Sequence, residues 1–169
     1  MDIEAELAAH HAGAFGWALS CCRSDREAAL DVLQTAYLQV LDGRARFAGR
    51  SSFRTWLFAV IRRTAAGERR RAALRRLVPL QLLGAGEEPC DGTQGPDAAL
   101  IESDAMRQLT DALARLSARQ REVLHLVFYQ ELTIEEAADV IGVSLGTART
   151  HYERGKATLR RELSEELAP

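Results

Sequence analysis

No apolar run in this chain approaches the roughly 18 residues that a membrane-spanning helix needs, and charges interrupt every candidate stretch. A secretory signal is not expected either, because Asp2, Glu4 and Glu6 stand where such a segment carries lysine or arginine. The expectation is a cytoplasmic chain without a membrane span. Cysteine is scarce. Cys21, Cys22 and Cys90 cannot all pair within one chain, two of them are neighbours, and no C-x-x-C spacing exists. Buried or idle thiols in a reducing compartment account for them, with redox sensing as the alternative. Aromatics are only 6%, and 12 glycines with 4 prolines are few for an all-β protein built on turns. His10, His11, His125 and His151 lack metal-ligand company, and no serine or cysteine is arranged as an activated nucleophile. The sequence therefore implies no enzyme, no metal and no cofactor.

What is present has a globular balance. Hydrophobic residues are 47% and charged residues 27% of 169, enough for one mid-sized domain or two small ones. A net charge of −2, taken whole, argues against a nucleic-acid binder. That average conceals segregation. Arg44–Arg76 holds eleven arginines and one acid, Glu68, whereas Leu77–Asp111 holds seven acids and one arginine. Residues 112–169 are near neutral, with eight basic and nine acidic side chains. The arginine run lacks the interleaved glutamates that balance a solvated helix face at i,i+4 spacing. Near its start stand Phe47, Phe53, Trp56 and Phe58, four of the ten aromatics. Arginines track phosphates and rings take unstacked bases, so the pairing suits single-stranded nucleic acid. Core packing is the competing explanation, strongest at Phe53 and Trp56.

Periodicity is helical throughout and β-type alternation is absent, which makes the chain all-α. Leu30, Leu33, Tyr37 and Leu41 form one apolar stripe, widened by Ala36 and Val40. Gly43 ends that helix, Arg44–Arg50 is a loop containing Gly49, and Ser51 or Ser52 caps a helix through Trp56, Leu57, Val60 and Ile61. Three prolines and four glycines between Pro79 and Pro96 mark a flexible, acidic linker. The expected division is two small helical domains, 1–76 and 97–169, joined by 77–96. Beyond the linker, Asp97 can cap a helix bearing Met106, Leu109, Leu113 and Leu116. Ser117 with Gln120, and Thr133 with Glu136, are capping boxes that open two more. The first has Val123, Leu124, Val127 and Phe128 as its expected core face, the second Ile134, Ala137, Ala138 and Ile141.

Ile134–Arg154 fits a helix-turn-helix. Ala138 supplies the small residue where the helices touch, Gly142 the φ > 0 turn, and Val143 the apolar pin. Ser144 caps the second helix, through Ala148, Tyr152, Leu159 and Leu163. Thr147, Arg149, Thr150, His151 and Arg154 on that helix can donate to phosphates or base edges. Gly146 keeps the helix start slim and its N–H groups free.

These residues resemble a family. Asp31-Val-Leu-Gln-Thr-Ala-Tyr-Leu-Gln-Val-Leu, then Phe47-Ala-Gly-Arg-Ser-Ser-Phe-Arg-Thr-Trp-Leu, are joined on one chain to Leu113-Ala-Arg-Leu-Ser-Ala-Arg-Gln-Arg-Glu-Val-Leu. Glu136-Ala-Ala-Asp-Val-Ile-Gly-Val-Ser-Leu-Gly-Thr-Ala-Arg-Thr completes the set. Together they are similar to a minimal extracytoplasmic-function (ECF, group IV) sigma factor of the sigma-70 family, a non-catalytic specificity subunit of bacterial RNA polymerase. The resemblance implies that the helix around Asp31, Gln34 and Tyr37 docks on the polymerase clamp helices, with a second polymerase contact at the flap. It implies that Phe47, Arg50, Ser51, Ser52, Arg54, Trp56, Arg62, Arg63, Arg69 and Arg70 melt the −10 promoter element and capture its bases. It also implies that Ser144, Gly146, Thr147, Arg149, Thr150, His151, Arg154 and Lys156 read the −35 element, and that an anti-sigma factor is a partner. Thr35 and Ala36 depart from the more acidic docking helix usual in the family, and Arg63 replaces a common asparagine. An ordinary helix-turn-helix repressor or activator is the alternative class, but it explains neither the basic-aromatic run nor its loop.

Overall fold

A computed structural model describes residues 2–77, 109 and 111–166. Among them the chain is all-α. The expected linker beyond Leu77, Cys90, and the expected cap at Asp97 with Met106 lie outside the described residues. Two compact units are present, 2–46 with 60–77 and 47–59 with 109 and 111–166.

The first unit holds α1 (Ile3–Ala9), α2 (His11–Cys21), α3 (Arg26–Leu41) and, from Val60 onward, α4 (Phe53–Leu77). Local chemistry starts these helices. The Asp2 carboxylate accepts from the backbone N–H of Glu4 and Ala5, and the Asp25 carboxylate from that of Ala28 at 3.0 Å. Each cap satisfies donors that the helix cannot, worth about 1 kcal/mol. After α3 the chain turns at Gly43, which adopts φ +70°, the left-handed conformation expected of a glycine there. Trp17, Ala14 and Ala18 of α2 are fully buried, with Ala29, Val32, Leu33, Ala36 and Val40 of α3 and Val60, Ile61 and Ala65 of α4. Full burial of a large apolar side chain contributes about 1.5–3 kcal/mol. The α3 stripe is therefore corrected. Leu33, Ala36 and Val40 are core, while Leu30 and Leu41 face solvent, because Ala29 and Val32 turn the buried face away from them.

The second unit contains the first turns of α4, followed by α5 (Ala118–Phe128), α6 (Ile134–Ile141) and α7 (Leu145–Glu166). Of the two candidate serines, Ser52 caps α4, its hydroxyl accepting from Thr55 N–H at 3.1 Å. Both capping boxes close as expected, Ser117 with Gln120 on α5 and Thr133 with Glu136 on α6. Helices α5, α6 and α7 pack against one another over Val123, Leu124, Leu126, Ala137, Ala138, Val140, Ile141 and Ala148. Here too the expected face shifts. Leu126 is buried, Val127 only half-buried, and Phe128 is 59% exposed, its ring stacked on Tyr152 with centroids 6.0 Å apart. The α5–α7 crossing is close at Gly155, where an added Cβ would meet Leu124 Cδ1 at 2.8 Å. Arg121 donates to the carbonyls of Leu113 and Leu116, both at 3.2 Å, at the end of the helical stretch at 111–114. An ion pair from Arg115 to Glu162 ties that stretch to α7.

Candidate nucleic-acid interface

The turn between α6 and α7 decides what α7 presents. Gly142 adopts φ +70° and ψ +45° and donates to the Ala138 carbonyl. Only a residue without Cβ takes this conformation freely. Ser144 then caps α7: its hydroxyl accepts from Thr147 N–H at 3.2 Å and lies 2.9 Å from the Thr147 hydroxyl. With Ala148 buried, Gly146, Thr147, Arg149, Thr150 and Arg154 are all exposed. Thr150 donates to the Gly146 carbonyl at 3.0 Å. His151 is half-buried. Lys156 is engaged locally, its ammonium 4.8 Å from the Tyr152 ring centroid and 3.9 Å from Glu153. The first turn of α7 carries no acid, so its positive dipole end and the N–H groups that precede the capped Thr147 suit an anion.

The second candidate surface begins in the loop before α4. Gly49, at φ +69°, turns the chain there, and Arg50 is exposed. Phe47, Phe53 and Trp56 form a three-ring cluster with centroids 5.3–5.5 Å apart. Phe53 is its buried member, and Phe47 and Trp56 remain half-exposed. Ser51 donates to the Ser52 carbonyl. Along α4, Trp56, Arg63 and Arg70 recur every seven residues on one face, with Arg62 and Arg69 one position to the side. Arg63 and Arg70 are exposed and Arg54 and Arg62 half-buried. Arg69 has a local partner, donating to the Cys21 carbonyl at the end of α2 at 2.6 Å. Nearby, burial pushes the half-buried Cys22 thiol up.

On α3, Asp31 and Gln34 are exposed and Tyr37 is half-buried. Leu30, Leu38 and Leu41 surround them, 47–51% exposed. The sequence reading did not single these leucines out as surface. The signal was present, since α3 carries more large apolar residues than a one-sided helix can bury. Likewise Phe128 and Tyr129, 59% and 66% exposed, are adjacent in sequence, so one helix face cannot bury both. Among the described residues no cluster of three or more His, Cys, Asp or Glu could hold a metal ion, and no helix is long and apolar enough to cross a membrane.

Comparison with known proteins places these surfaces in two matched regions. Residues 7–75 match the model for Sigma-70 region 2, and residues 112–161 match that for Sigma-70, region 4. The chain is 30% identical over 166 residues to the RNA polymerase sigma factor CarQ of Myxococcus xanthus, covering 97% of this chain and 91% of that protein. It is 30% identical over 150 residues to the ECF RNA polymerase sigma factor SigX of Bacillus subtilis, covering 85% and 76%. Among solved structures, sigma factor RpoE in complex with the anti-sigma factor NepR, from Bartonella quintana, superposes with a TM-score of 0.72 at 21% identity, covering 96% and 97%. At that identity the likeness concerns the fold.

Proposed function

The chain belongs to the ECF sigma factors of the sigma-70 family, and from that premise we propose that it binds core RNA polymerase and directs it to promoters by reading −35 DNA with α7 and opening −10 DNA with α4. One observation carries this reading: a slim helix start with no acid in its first turn, exposing Gly146, Thr147, Arg149, Thr150 and Arg154, shares a chain with an arginine face bordered by half-exposed rings. The first suits a groove; the second suits an unstacked strand. Neither needs catalysis by the chain itself. The domain boundaries proposed are 1–76, 77–96 and 97–169. Tethering through the linker raises the effective concentration of each reader for its element, so spaced elements are recognised together.

Two exposed apolar patches fit the two polymerase contacts. The α3 face of Leu30, Asp31, Gln34, Leu38 and Leu41 serves the clamp helices, and Phe128 with Tyr129 serves the flap. The same surfaces suit an anti-sigma factor, the partner with which the RpoE neighbour was solved. The site of action is the cytoplasm. The test is reconstitution. The isolated protein should bind duplex promoter DNA poorly, and adding core polymerase should give specific transcription with defined 5′ ends. Tight, specific duplex binding by the isolated protein would favour a repressor instead.

A further inference from the structure

Helix α2 begins at His11, directly after α1 ends, and both helices pack against α3. His11 Nδ1 lies 3.2 Å from the Tyr37 hydroxyl, and the two rings meet edge-on with centroids 6.1 Å apart at 60°. The contact spans 26 positions in sequence. Tyr37 belongs to the stripe Leu30, Gln34, Tyr37 and Leu41 on α3, whose leucines are about half exposed. His11 is itself exposed, so this bond adds little to the core. What it does is fix the free end of the Tyr37 ring.

Resting on the docking surface proposed above, we infer that His11 is a positioning residue for core polymerase: it clamps the Tyr37 hydroxyl and thereby holds the Tyr37 ring at the border of the Leu30–Leu41 stripe before the polymerase arrives. A tyrosine is a rigid, amphipathic anchor with few rotatable bonds, and fixing it beforehand removes an ordering cost from association. Burial raises the pKa of the Tyr37 hydroxyl further above its ordinary alkaline value. One hydrogen bond of this kind corresponds to roughly a 2–10-fold change in affinity.

The experiment measures the affinity of the full-length chain for core polymerase by competition, together with binding of the reconstituted holoenzyme, at saturating polymerase, to a template already open at −10. His11→Ala and Tyr37→Phe should each weaken core binding about 2–10-fold and leave open-template binding unchanged. The double variant should be no worse than either single one, and His11→Gln, which can still bond the hydroxyl, should recover most of the loss. Unchanged core affinity for His11→Ala, additive losses in the double variant, or a parallel loss on the open template would each overturn the proposal. Leu30→Glu separates the two layers. If it abolishes docking while His11→Ala does nothing, the docking surface stands and the positioning role falls. If Leu30→Glu docks normally, the docking surface fails and takes the inference with it.

Discussion

Helices α4 and α7 both present arginine to solvent, at very different densities. Over Phe53–Leu77 there are eight arginines and one acid, whereas Leu145–Glu166 has five basic and four acidic residues. The side chains between the charges differ as well. Three rings cluster at the start of α4, whereas α7 opens on serine, glycine and threonine. A helix that enters a groove must be slim, and its specificity comes from a few directed donors, so excess charge there would only strengthen binding to any sequence. A surface that holds an opened strand must outweigh duplex stacking, and dense charge beside rings does that. In the proposed function, two helices of similar length therefore engage nucleic acid by opposite strategies.

The comparison breaks most easily at α4. Replacing Trp56, Arg63 and Arg70 together by alanine should lower open-complex formation, followed by permanganate reactivity, by about 100-fold or more, from a stacking contribution of roughly 1–3 kcal/mol plus two phosphate contacts. Binding to a duplex carrying only the −35 element should be nearly unchanged. Equal losses on both templates would remove the division of labour.

The two units should also part company in mild acid. Burial lowers the pKa of His125 in α5 to about 4 from 6.5. Between those values the unfolded chain takes up a proton that the folded unit refuses, so stability is intact above about pH 6.5 and falls as pH drops toward 4. The loss is at most on the order of 3 kcal/mol. Below that, two carboxylates continue the trend. Glu136 is held below the usual range mainly by the Thr133 backbone N–H, and Glu162 by hydrogen bonds from Arg161 and Arg115. All three groups are in the second unit, and the shifts resolved in the first, Cys22 and Tyr37, concern alkaline pH. Amide resonances of α5–α7 followed from pH 7 to 4.5 in mild denaturant should therefore melt before those of α1–α3. His125→Gln should reduce that difference.

Arg149→Ala should weaken −35-dependent promoter binding of the holoenzyme by about 10-fold and spare a template already open at −10, because a directed contact to a base or phosphate carries roughly 1–3 kcal/mol. The smallest effect is the most diagnostic of a slim helix. A Cβ at Gly146 meets nothing within 4 Å, so Gly146→Ala should raise thermal stability, by about 0.5–1 kcal/mol. The same change should reduce −35 affinity. If affinity were kept, a slim helix start would not be needed for reading.

Much of this arrangement was legible in advance, for identifiable reasons. Ser117 with Gln120, Thr133 with Glu136, and the left-handed Gly142 act over four residues or fewer, so sequence spacing alone specified them. Helix-turn-helix spacing and the basic-aromatic run pointed to nucleic acid, family resemblance assigned the −35 and −10 elements, and the structure adds which of those side chains are available. Arg149 and Arg154 are exposed, Lys156 lies over Tyr152, and Arg69 is bonded to the Cys21 carbonyl 48 positions away. No sequence pattern encodes that last contact, because it depends on α2 and α4 meeting at one particular height.

By itself the sequence determined the helices, their caps and turns, the segregation of charge and the family, since each depends on neighbours in the chain or on composition. Tertiary structure decided which apolar residues are core and which are surface. Leu126 is buried and Phe128 exposed, Leu33 is buried and Leu30 exposed, although all four belong to apolar helix faces. Gly155 looks like an unremarkable helical glycine until Leu124 approaches to within 2.8 Å of where its Cβ would stand. The physical reason is common to all of these. A helix period defines an apolar face to within a residue or two, and only the partner that arrives across it decides which of those residues is covered.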